Sequence, residues 1–428
     1  MAAVVSQTST SQLGASAIAP PAIPKHTVVP APALHHLEQD NPKQDEDEDL
    51  SYPNLPPFPS DIPTAPLLRI SLSKLLSNDS AEVTNLWNAS RDLGFFYLDL
   101  RVPLFSSATK RDSAHEPSES DIDGPALLSS AEKLFKLGEK LFELTTEEKL
   151  KYDFKDQGSY FGYKGIGAGV VDAQGTRDRN EFYNVSKDDI LGISEPLPAP
   201  ELLNSEDARE MLKGFMEGSH AIVSFILGLL NDKLGLPEGK LQSLHRLREV
   251  SGDQVRWVSA PPQPQDDRQK ALGEHTDFGS ITLLHNRLGG LQVLPPSTPP
   301  SSSNPSPTTP EWTYVLPLRD HIIVNLGDAL VKLTAGVLRS NIHRVVSPPG
   351  EQGKETRMSL VYFARPEDEV VLKRLEGSGV IDDKAKEAGE EEGEEITAKE
   401  WILRRALGRR AGGDWKASAG TEGERFKH

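Results

Sequence analysis

The sequence predicts an α+β fold with a mainly β core, a double-stranded β-helix (jelly-roll) accompanied by N-terminal and bracing helices. Seven short strand-like runs, separated by Gly, Pro and Asn, follow one another between residues 255 and 363. Such spacing is typical of sandwiches and barrels. Longer segments with apolar residues at helical spacing precede this region, and they predict helices packed against the β core.

The part of the chain before the β core is expected to mix helices and strands. Residues 69–72 predict a first strand, and residues 80–93 a helix with Ser80 as its N-cap. A second helix is predicted over residues 129–144. The longest helix, residues 205–234, is strongly apolar, and we expect it to brace the barrel.

The β core itself is predicted from short apolar runs. The expected strands are residues 255–258, 280–284, 291–294, 312–316, 321–325, 342–346 and 357–363. Residues 295–310 are too rich in proline for a central strand and predict an enlarged hairpin loop. Asp328, which follows Gly327, is interpreted as a helix cap.

We expect one domain with tails rather than two domains. Residues 1–60 predict a disordered tail rich in Pro, Ala and acid, residues 61–248 the mixed helix and strand region, residues 249–370 the jelly-roll core, and residues 371–428 an acidic insertion with a final helix. In that last helix, Arg404-Arg405 and Arg409-Arg410 are interpreted as a solvated helix end.

Composition limits the classes of function. A formal net charge of −17 over 428 residues argues against a general nucleic-acid surface, because phosphate binding needs clustered Lys and Arg. The chain contains no cysteine, which fits a reducing compartment. No run reaches the ~18 apolar residues of a membrane span, and the N-terminus lacks the pattern of a secretory signal. We therefore expect a cytoplasmic monomer that acts on a small molecule.

A candidate metal site is the most informative feature of the sequence. His275-Thr276-Asp277 places two metal-binding side chains at positions i and i+2, which share one side of a strand. His343, in a β-branched run, supplies a second imidazole. Two histidines and one carboxylate suit non-heme Fe(II), although catalytic zinc takes the same set.

A candidate anion site follows on the last strand. Arg357 and Ser359 lie on a common face of that strand, and a guanidinium fork with a hydroxyl is suited to holding a carboxylate in one orientation. A dicarboxylate with a 2-oxo acid head could chelate the metal at one end and pair with Arg357 at the other. This combination favours iron with 2-oxoglutarate.

Several segments together resemble the isopenicillin N synthase-like branch of the Fe(II)- and 2-oxoglutarate-dependent dioxygenases, over roughly residues 67–366. The segments that carry the resemblance, in chain order, are residues 86–98 (LWNASRDLGFFYL), 145–149 (TTEEK), 160–164 (YFGYK), 275–284 (HTDFGSITLL), 289–293 (GGLQV), 324–328 (VNLGD), His343-Arg344-Val345 and Arg357-Met358-Ser359. Residues 249–370 would then be the dioxygenase core.

The resemblance implies a role for each of these residues. His275, Asp277 and His343 would be the catalytic iron ligands, and Arg357 and Ser359 would contact 2-oxoglutarate. The enzyme would use O2 to hydroxylate or desaturate a small organic substrate, releasing succinate and CO2. The family often places a tyrosine before its Pro-Pro, where this chain has Ala260.

Aromatic residues near the expected pocket mouth are candidates for substrate contact. Tyr160, Tyr163 and Phe182 lie in a Gly-rich region that the resemblance places there, where they could stack on a substrate ring. The product and the identity of the substrate stay open.

Three alternatives stay open at this point. One is an iron-dependent oxidase of the same fold that does not use 2-oxoglutarate, which Ala260 keeps in consideration. Another is a non-catalytic jelly-roll binding protein. The third is a zinc hydrolase, although the chain has no HExxH segment. Three other histidines, His220, His285 and His321, are interpreted as structural residues.

Overall fold

The structure, a computed structural model, describes residues 51–101, 121–264, 270–296, 310–389 and 394–421. Two sheets form its centre. The strands within the described residues are β1 (Arg69–Ser71), β2 (Phe95–Asp99), β3 (Gly162–Lys164), β4 (Glu181–Ser186), β5 (Gln254–Ala260), β6 (Leu272–His275), β7 (Ile281–Asn286), β8 (Leu291–Val293), β9 (Thr313–Tyr314), β10 (His321–Leu326), β11 (His343–Val345) and β12 (Arg357–Ala364).

The major sheet has the order β1-β2-β10-β7-β12-β5-β4-β3, and the minor sheet the order β6-β11-β8-β9. From β5 onward the chain crosses repeatedly between the two sheets, which is the winding of a double-stranded β-helix. Every pairing between these strands is antiparallel except that of β1 with β2. The predicted jelly-roll is confirmed, and each of the seven predicted strands overlaps an observed one.

The register of the major sheet separates its two faces. Tyr163 pairs with Tyr183, Tyr183 with Trp257, and Trp257 with Leu360, so these four residues share the outward face. That face is buried against helices, as shown by the indole nitrogen of Trp257, which donates to the carbonyl of Leu134 at 2.8 Å. On each strand, the residues that alternate with these four point to the opposite side, toward the minor sheet, and we call this side the inward face.

The helices within the described residues are α1 (Leu72–Leu76), α2 (Ser80–Asp92), α3 (Gly124–Glu143), α4 (Thr146–Leu150), α5 (Lys187–Ile190), α6 (Glu201–Asn204), α7 (Glu206–Leu234), α8 (Asp328–Leu333), α9 (Gly379–Ala388) and α10 (Ala398–Gly408). The two longest, α3 and α7, pack on β5 and β12 and cover the outward face of the major sheet. None of these helices combines the length and hydropathy needed to cross a membrane.

The predicted helices are present, with small corrections at their ends. Helix α7 begins after Ser205, whose hydroxyl accepts from the backbone of Ala208. It ends at Leu234 and is capped by Gly235, whose φ of 66° lies in the left-handed region that favours glycine. Helix α2 has Asp79 as its N-cap rather than Ser80, because the Asp79 carboxylate accepts from the Glu82 amide at 2.9 Å.

The tail predicted for residues 1–60 extends too far, because its last ten residues contact the rest of the protein. Residues 1–50 lie outside the described residues, but residues 51–60 pack against the barrel. Tyr52 donates to the carbonyl of Leu318 at 3.1 Å, and Phe58 makes an edge contact with Tyr314. The proline-rich loop is described only at its two ends, since residues 297–309 lie outside the described residues.

The C-terminal region differs from its prediction in two ways. The acidic segment contains α9, and residues 390–393 lie outside the described residues. The interpretation of the four arginines as a solvated helix end is wrong for two of them, because Arg405 is fully buried and Arg410 is also buried. Arg405 pairs with Asp328, and Arg410 pairs with Asp153 at 2.5 Å. These ion pairs attach α10 to the barrel.

Candidate metal centre

The two histidines of the candidate metal site face each other across the minor sheet. His275 ends β6, His343 begins β11, and the two are direct antiparallel partners. Asp277 follows two residues after His275, in the turn that leads to β7. One ligand atom from each of the three buried side chains lies within 4.8 Å of the others. The jelly-roll thus joins Asp277 and His343, which are 66 positions apart in sequence.

Backbone hydrogen bonds orient both imidazoles. The Nδ1 atom of His275 lies 2.8 Å from the carbonyl oxygen of Gly273, and that of His343 lies 3.1 Å from the carbonyl oxygen of Asn341. In each ring Nδ1–H donates, so Nε2 carries the free lone pair. Both Nε2 atoms lie 3.9 Å from Oδ1 of Asp277. The three atoms converge as metal ligands would.

The second oxygen of Asp277 is held by two donors. The hydroxyl of Thr282 and the amide nitrogen of Asn325 each donate to Oδ2 at 2.6 Å. Burial raises the pKa of Asp277, but His343, His275 and these two hydrogen bonds outweigh it and hold the pKa below its ordinary value. The carboxylate therefore stays ionised, with Oδ1 directed at the imidazoles.

Electrostatics keep His275 neutral. Burial is the main cause, and the neighbouring His343 and Arg409 add to it, so the pKa of His275 falls well below its ordinary value. A neutral imidazole with a fixed tautomer is the form that binds a metal ion. The donor set of two imidazoles and one carboxylate thus fits an Fe(II) ion of the facial-triad type.

Arg357 and Ser359 lie on the inward face of β12, as the sequence predicts. Both are buried. The Nε atom of Arg357 donates to the carbonyl of Gly289 at 2.8 Å, and Nη1 donates to the Ser359 hydroxyl at 3.3 Å. Burial lowers the pKa of Arg357 to about 10, which leaves it a cation at neutral pH. Ala260 is its direct partner on β5, so a methyl group stands beside the fork.

A buried ion pair lies behind the turn that carries His275 and Asp277. Arg405 of α10 contacts Asp328 at 2.5 Å, and both side chains are fully buried. Thr276, which lies between two of the predicted ligands, donates from its hydroxyl to Asp328 at 2.8 Å, and its carbonyl accepts from Arg405 at 3.3 Å. Asp328 is therefore the centre of this network, and its interpretation as a helix cap is wrong, since Gly327 occupies the N-cap.

The predicted substrate contacts divide between the faces of the major sheet. Phe182 lies on the inward face, opposite Val258. Tyr163 lies on the outward face, is almost fully buried and donates its hydroxyl to Glu181 at 2.6 Å, so its prediction as a substrate contact is wrong. The period-two alternation of β3 is the physical reason. Tyr160 stacks on Phe161, with ring centroids 4.6 Å apart.

The three histidines predicted to be structural make contacts outside the candidate metal cluster. The Nε2 atom of His220 lies 2.7 Å from the His245 carbonyl oxygen. His321 lies between Arg69 and the carbonyl of Arg319. His285 is buried on the outward face, 5.5 Å from the ring of Phe215.

Sequence reasoning missed two groups of residues near the site. Thr282 and Asn325, which hold Asp277, lie in segments that carry the family resemblance, but no local pattern distinguishes them from other strand residues. Arg256 lies on the inward face of β5, paired with Asn184 of β4. Its position four residues before Ala260 could have indicated that it shares a face with the candidate anion site.

A jelly-roll whose mouth gathers two histidines, one aspartate and a buried arginine defines a class of protein, the non-heme iron oxygenases. Comparison with known proteins makes the assignment narrower. Residues 251–366 match the model of the 2OG-Fe(II) oxygenase superfamily. That segment contains all five residues of the predicted iron and 2-oxoglutarate sites.

Two curated fungal relatives extend the similarity over most of the chain. A 2-oxoglutarate-dependent dioxygenase of Aspergillus fumigatus is 32% identical over 348 residues, which is 77% of this chain and 84% of the relative. The 2-oxoglutarate-dependent dioxygenase gloE of Glarea lozoyensis is 31% identical over 316 residues, 73% of this chain and 83% of the relative.

A solved structure shows the same fold. A full-length Neurospora crassa protein, crystallised in complex with alpha-KG, superposes with a TM-score of 0.59 and 22% identity, covering 79% of this chain and 95% of that one. The chain belongs to the 2OG-Fe(II) oxygenase superfamily. It is an oxidoreductase that uses Fe(II), 2-oxoglutarate and O2 to oxidise a small organic substrate.

Proposed function

We propose that His275, Asp277 and His343 hold the catalytic Fe(II), and that Arg357 with Ser359 binds the far carboxylate of 2-oxoglutarate. One observation supports this most strongly: two imidazole Nε2 atoms each lie 3.9 Å from the same aspartate oxygen. Iron with its cosubstrate supplies oxygen activation and C–H oxidation, and we propose hydroxylation or desaturation as the outcome. Succinate and CO2 are the coproducts.

The chain's own residues fix the geometry for this reaction. Thr282 and Asn325 occupy one oxygen of Asp277 and leave the other for iron. The Nε bond from Arg357 to Gly289 sets the plane of the guanidinium, so its remaining N–H groups can donate to a carboxylate in one orientation. Phe182 would contact the substrate. We also propose that the chain belongs to the isopenicillin N synthase-like branch, on the strength of the sequence segments shared with it.

Anaerobic binding followed by product analysis tests the residue roles. His343→Ala should lose Fe(II) binding, and Arg357→Met should keep Fe(II) while its Kd for 2-oxoglutarate rises by at least about tenfold, since charge-assisted hydrogen bonds are lost. Arg344→Met is the matched control, because Arg344 lies beside His343 but is bonded to Gln292 and Glu274. Unchanged affinities in both site variants would contradict the assignment.

The cytoplasmic location, the monomeric state and the absence of nucleic-acid or membrane partners stay predictions from composition and belong to this proposal. So does the division of the chain into a tail, a mixed region over residues 61–248, a core over 249–370 and a C-terminal region. Cell fractionation tests the location, light scattering tests the monomeric state, and limited proteolysis tests the division of the chain.

A further inference from the structure

The inward face of the major sheet carries an arginine that the iron and 2-oxoglutarate sites do not use. Arg256 lies on β5, directly opposite Val361 of β12 on one side and Asn184 of β4 on the other. Arg357, Ser359, Val361 and Phe363 alternate along the same face of β12. Arg256 therefore faces the space that contains the predicted cosubstrate site.

Aromatic rings hold the Arg256 guanidinium in place. Its central carbon lies 4.2 Å from the ring centroid of Phe182 and 4.8 Å from that of Phe363. Its Nε donates to Oδ1 of Asn184 at 2.7 Å. These contacts fix the fork through its Nε edge and its ring-facing surfaces. The Nη1 and Nη2 atoms remain, and they are the pair that binds a carboxylate bidentately.

No carboxylate forms an ion pair with Arg256 among the residues that the structure describes. Arg256 is partly buried. Burial, helped by the nearby Arg365, lowers the pKa of Arg256 to about 9, and Asp277 opposes this shift. The group is still a cation at neutral pH. A desolvated cation without a carboxylate counter-ion is costly, and an anionic ligand would offset that cost.

The position along the strands separates Arg256 from the predicted 2-oxoglutarate anchor. Val361, its partner on β12, lies four residues beyond Arg357, about 14 Å at about 3.4 Å per residue. The next inward residue, Phe363, pairs with Thr282, which holds the metal-binding Asp277. Along the strands, Arg256 thus lies closer than Arg357 to Thr282 and Asp277. This is the end of the site at which the substrate must approach the proposed metal.

We propose that Arg256 binds a carboxylate of the substrate, so that the substrate class is a small carboxylic acid. The carboxylate would lie in the plane of the guanidinium, with Phe182 and Phe363 against the apolar part of the acid. This inference rests on the proposed function, since it takes the metal and cosubstrate positions from it. It adds a specificity residue that the sequence analysis did not identify.

Calorimetry on the full chain loaded with Mn(II) and 2-oxoglutarate tests the proposal without turnover. The probes are benzoate, 3-phenylpropionate and octanoate, each compared with its primary amide, which has the same shape without the charge. The Kd for 2-oxoglutarate is measured first. If wild-type protein does not bind 2-oxoglutarate, the proposed function fails. If it does, the acid and amide titrations test Arg256 alone.

We expect at least one acid to bind at least about tenfold more tightly than its amide, as charge-assisted pairing predicts. Arg256→Met should abolish this preference, and Arg256→Lys should retain part of it. Arg287→Met is the matched control: Arg287 also stacks on an aromatic ring, Phe135, at 4.1 Å, but it pairs with Glu132 outside the site. It should keep the full preference.

Two results would overturn the inference. One is an equal affinity of wild-type protein for every acid and its amide, a comparison that does not depend on the folding of any variant. The other is an Arg256→Met protein that keeps the acid preference, or that instead loses 2-oxoglutarate affinity by about tenfold, which would assign Arg256 to the cosubstrate.

Discussion

Replacing Arg405 with methionine should both destabilise the protein and loosen the turn that carries His275 and Asp277. Arg405 and Asp328 form a pair in which neither side chain is exposed. Methionine preserves most of the apolar contact that Arg405 makes over Phe278 and Trp401. The substitution therefore removes mainly the charge and its hydrogen bonds, and it leaves the Asp328 carboxylate buried without its cation.

The size of the loss follows from what remains around Asp328. Removing one partner of a buried ion pair costs about 3–5 kcal/mol. Asp328 keeps hydrogen bonds from the Thr276 hydroxyl at 2.8 Å and the Thr421 hydroxyl at 2.6 Å. These bonds place the expected loss of unfolding free energy at the lower end, about 3 kcal/mol. Adding Asp328→Asn removes the unpaired charge, so the double variant should regain about 1 kcal/mol or more.

Urea denaturation measures the stability change, and Fe(II) titration of the folded variant measures the second effect. Because Thr276 lies between two of the proposed ligands, we expect the Kd for Fe(II) to rise about tenfold, as for other residues that support metal ligands. Arg404→Met is the control on the same helix, since Arg404 pairs with Glu394 in a solvent-accessible position and should cost less than about 1 kcal/mol. An Arg405→Met protein as stable as the Arg404→Met protein would show that the buried ion pair does not stabilise the fold.

Three further substitutions have defined outcomes. Burial lowers the pKa of His285 to about 3, so its stabilising contribution is complete above pH about 6.5 and is lost as the pH falls toward 3. His285→Met should flatten the acid side of the plot of unfolding free energy against pH by about 1.4 kcal/mol per pH unit, measured by urea denaturation. Thr282→Val removes one of two donors to Asp277 and should weaken Fe(II) binding about tenfold by titration. Gly138→Ala would place a Cβ 2.5 Å from Cδ1 of the buried Trp257. The overpacking should cost about 1–3 kcal/mol, more than the gain of about 1 kcal/mol in helix propensity, so the melting temperature should fall.

The sequence predicted the elements whose patterns are local. Apolar periodicity indicated α7, and β-branched runs between turn residues indicated the strands of the core. The three predicted iron ligands come together because the jelly-roll makes β6 and β11 neighbours, a pairing that local pattern alone does not determine. Resemblance to a family supplied that step.

Other features depended on tertiary contacts that no local pattern encodes. Arg405 lies in a run of basic residues that is typical of a solvated helix end, yet a buried partner 77 residues earlier pairs with it. Tyr163 was misassigned because β3 was not predicted, and without its register the side of the sheet could not be known. Arg256 was missed because its role depends on two aromatic side chains from other strands.

We propose above that iron and 2-oxoglutarate bind together at the His275, Asp277 and His343 cluster. The most direct test is anaerobic addition of Fe(II) and then 2-oxoglutarate, while recording the weak visible metal-to-ligand charge-transfer band of a bidentate oxo acid on ferrous iron. We predict a band in wild-type protein, none in Asp277→Ala, and one in Arg357→Met only at higher 2-oxoglutarate. A wild-type protein that binds Fe(II) but gives no band, or an Asp277→Ala protein that gives the same band, would show that iron and 2-oxoglutarate do not bind together at this cluster.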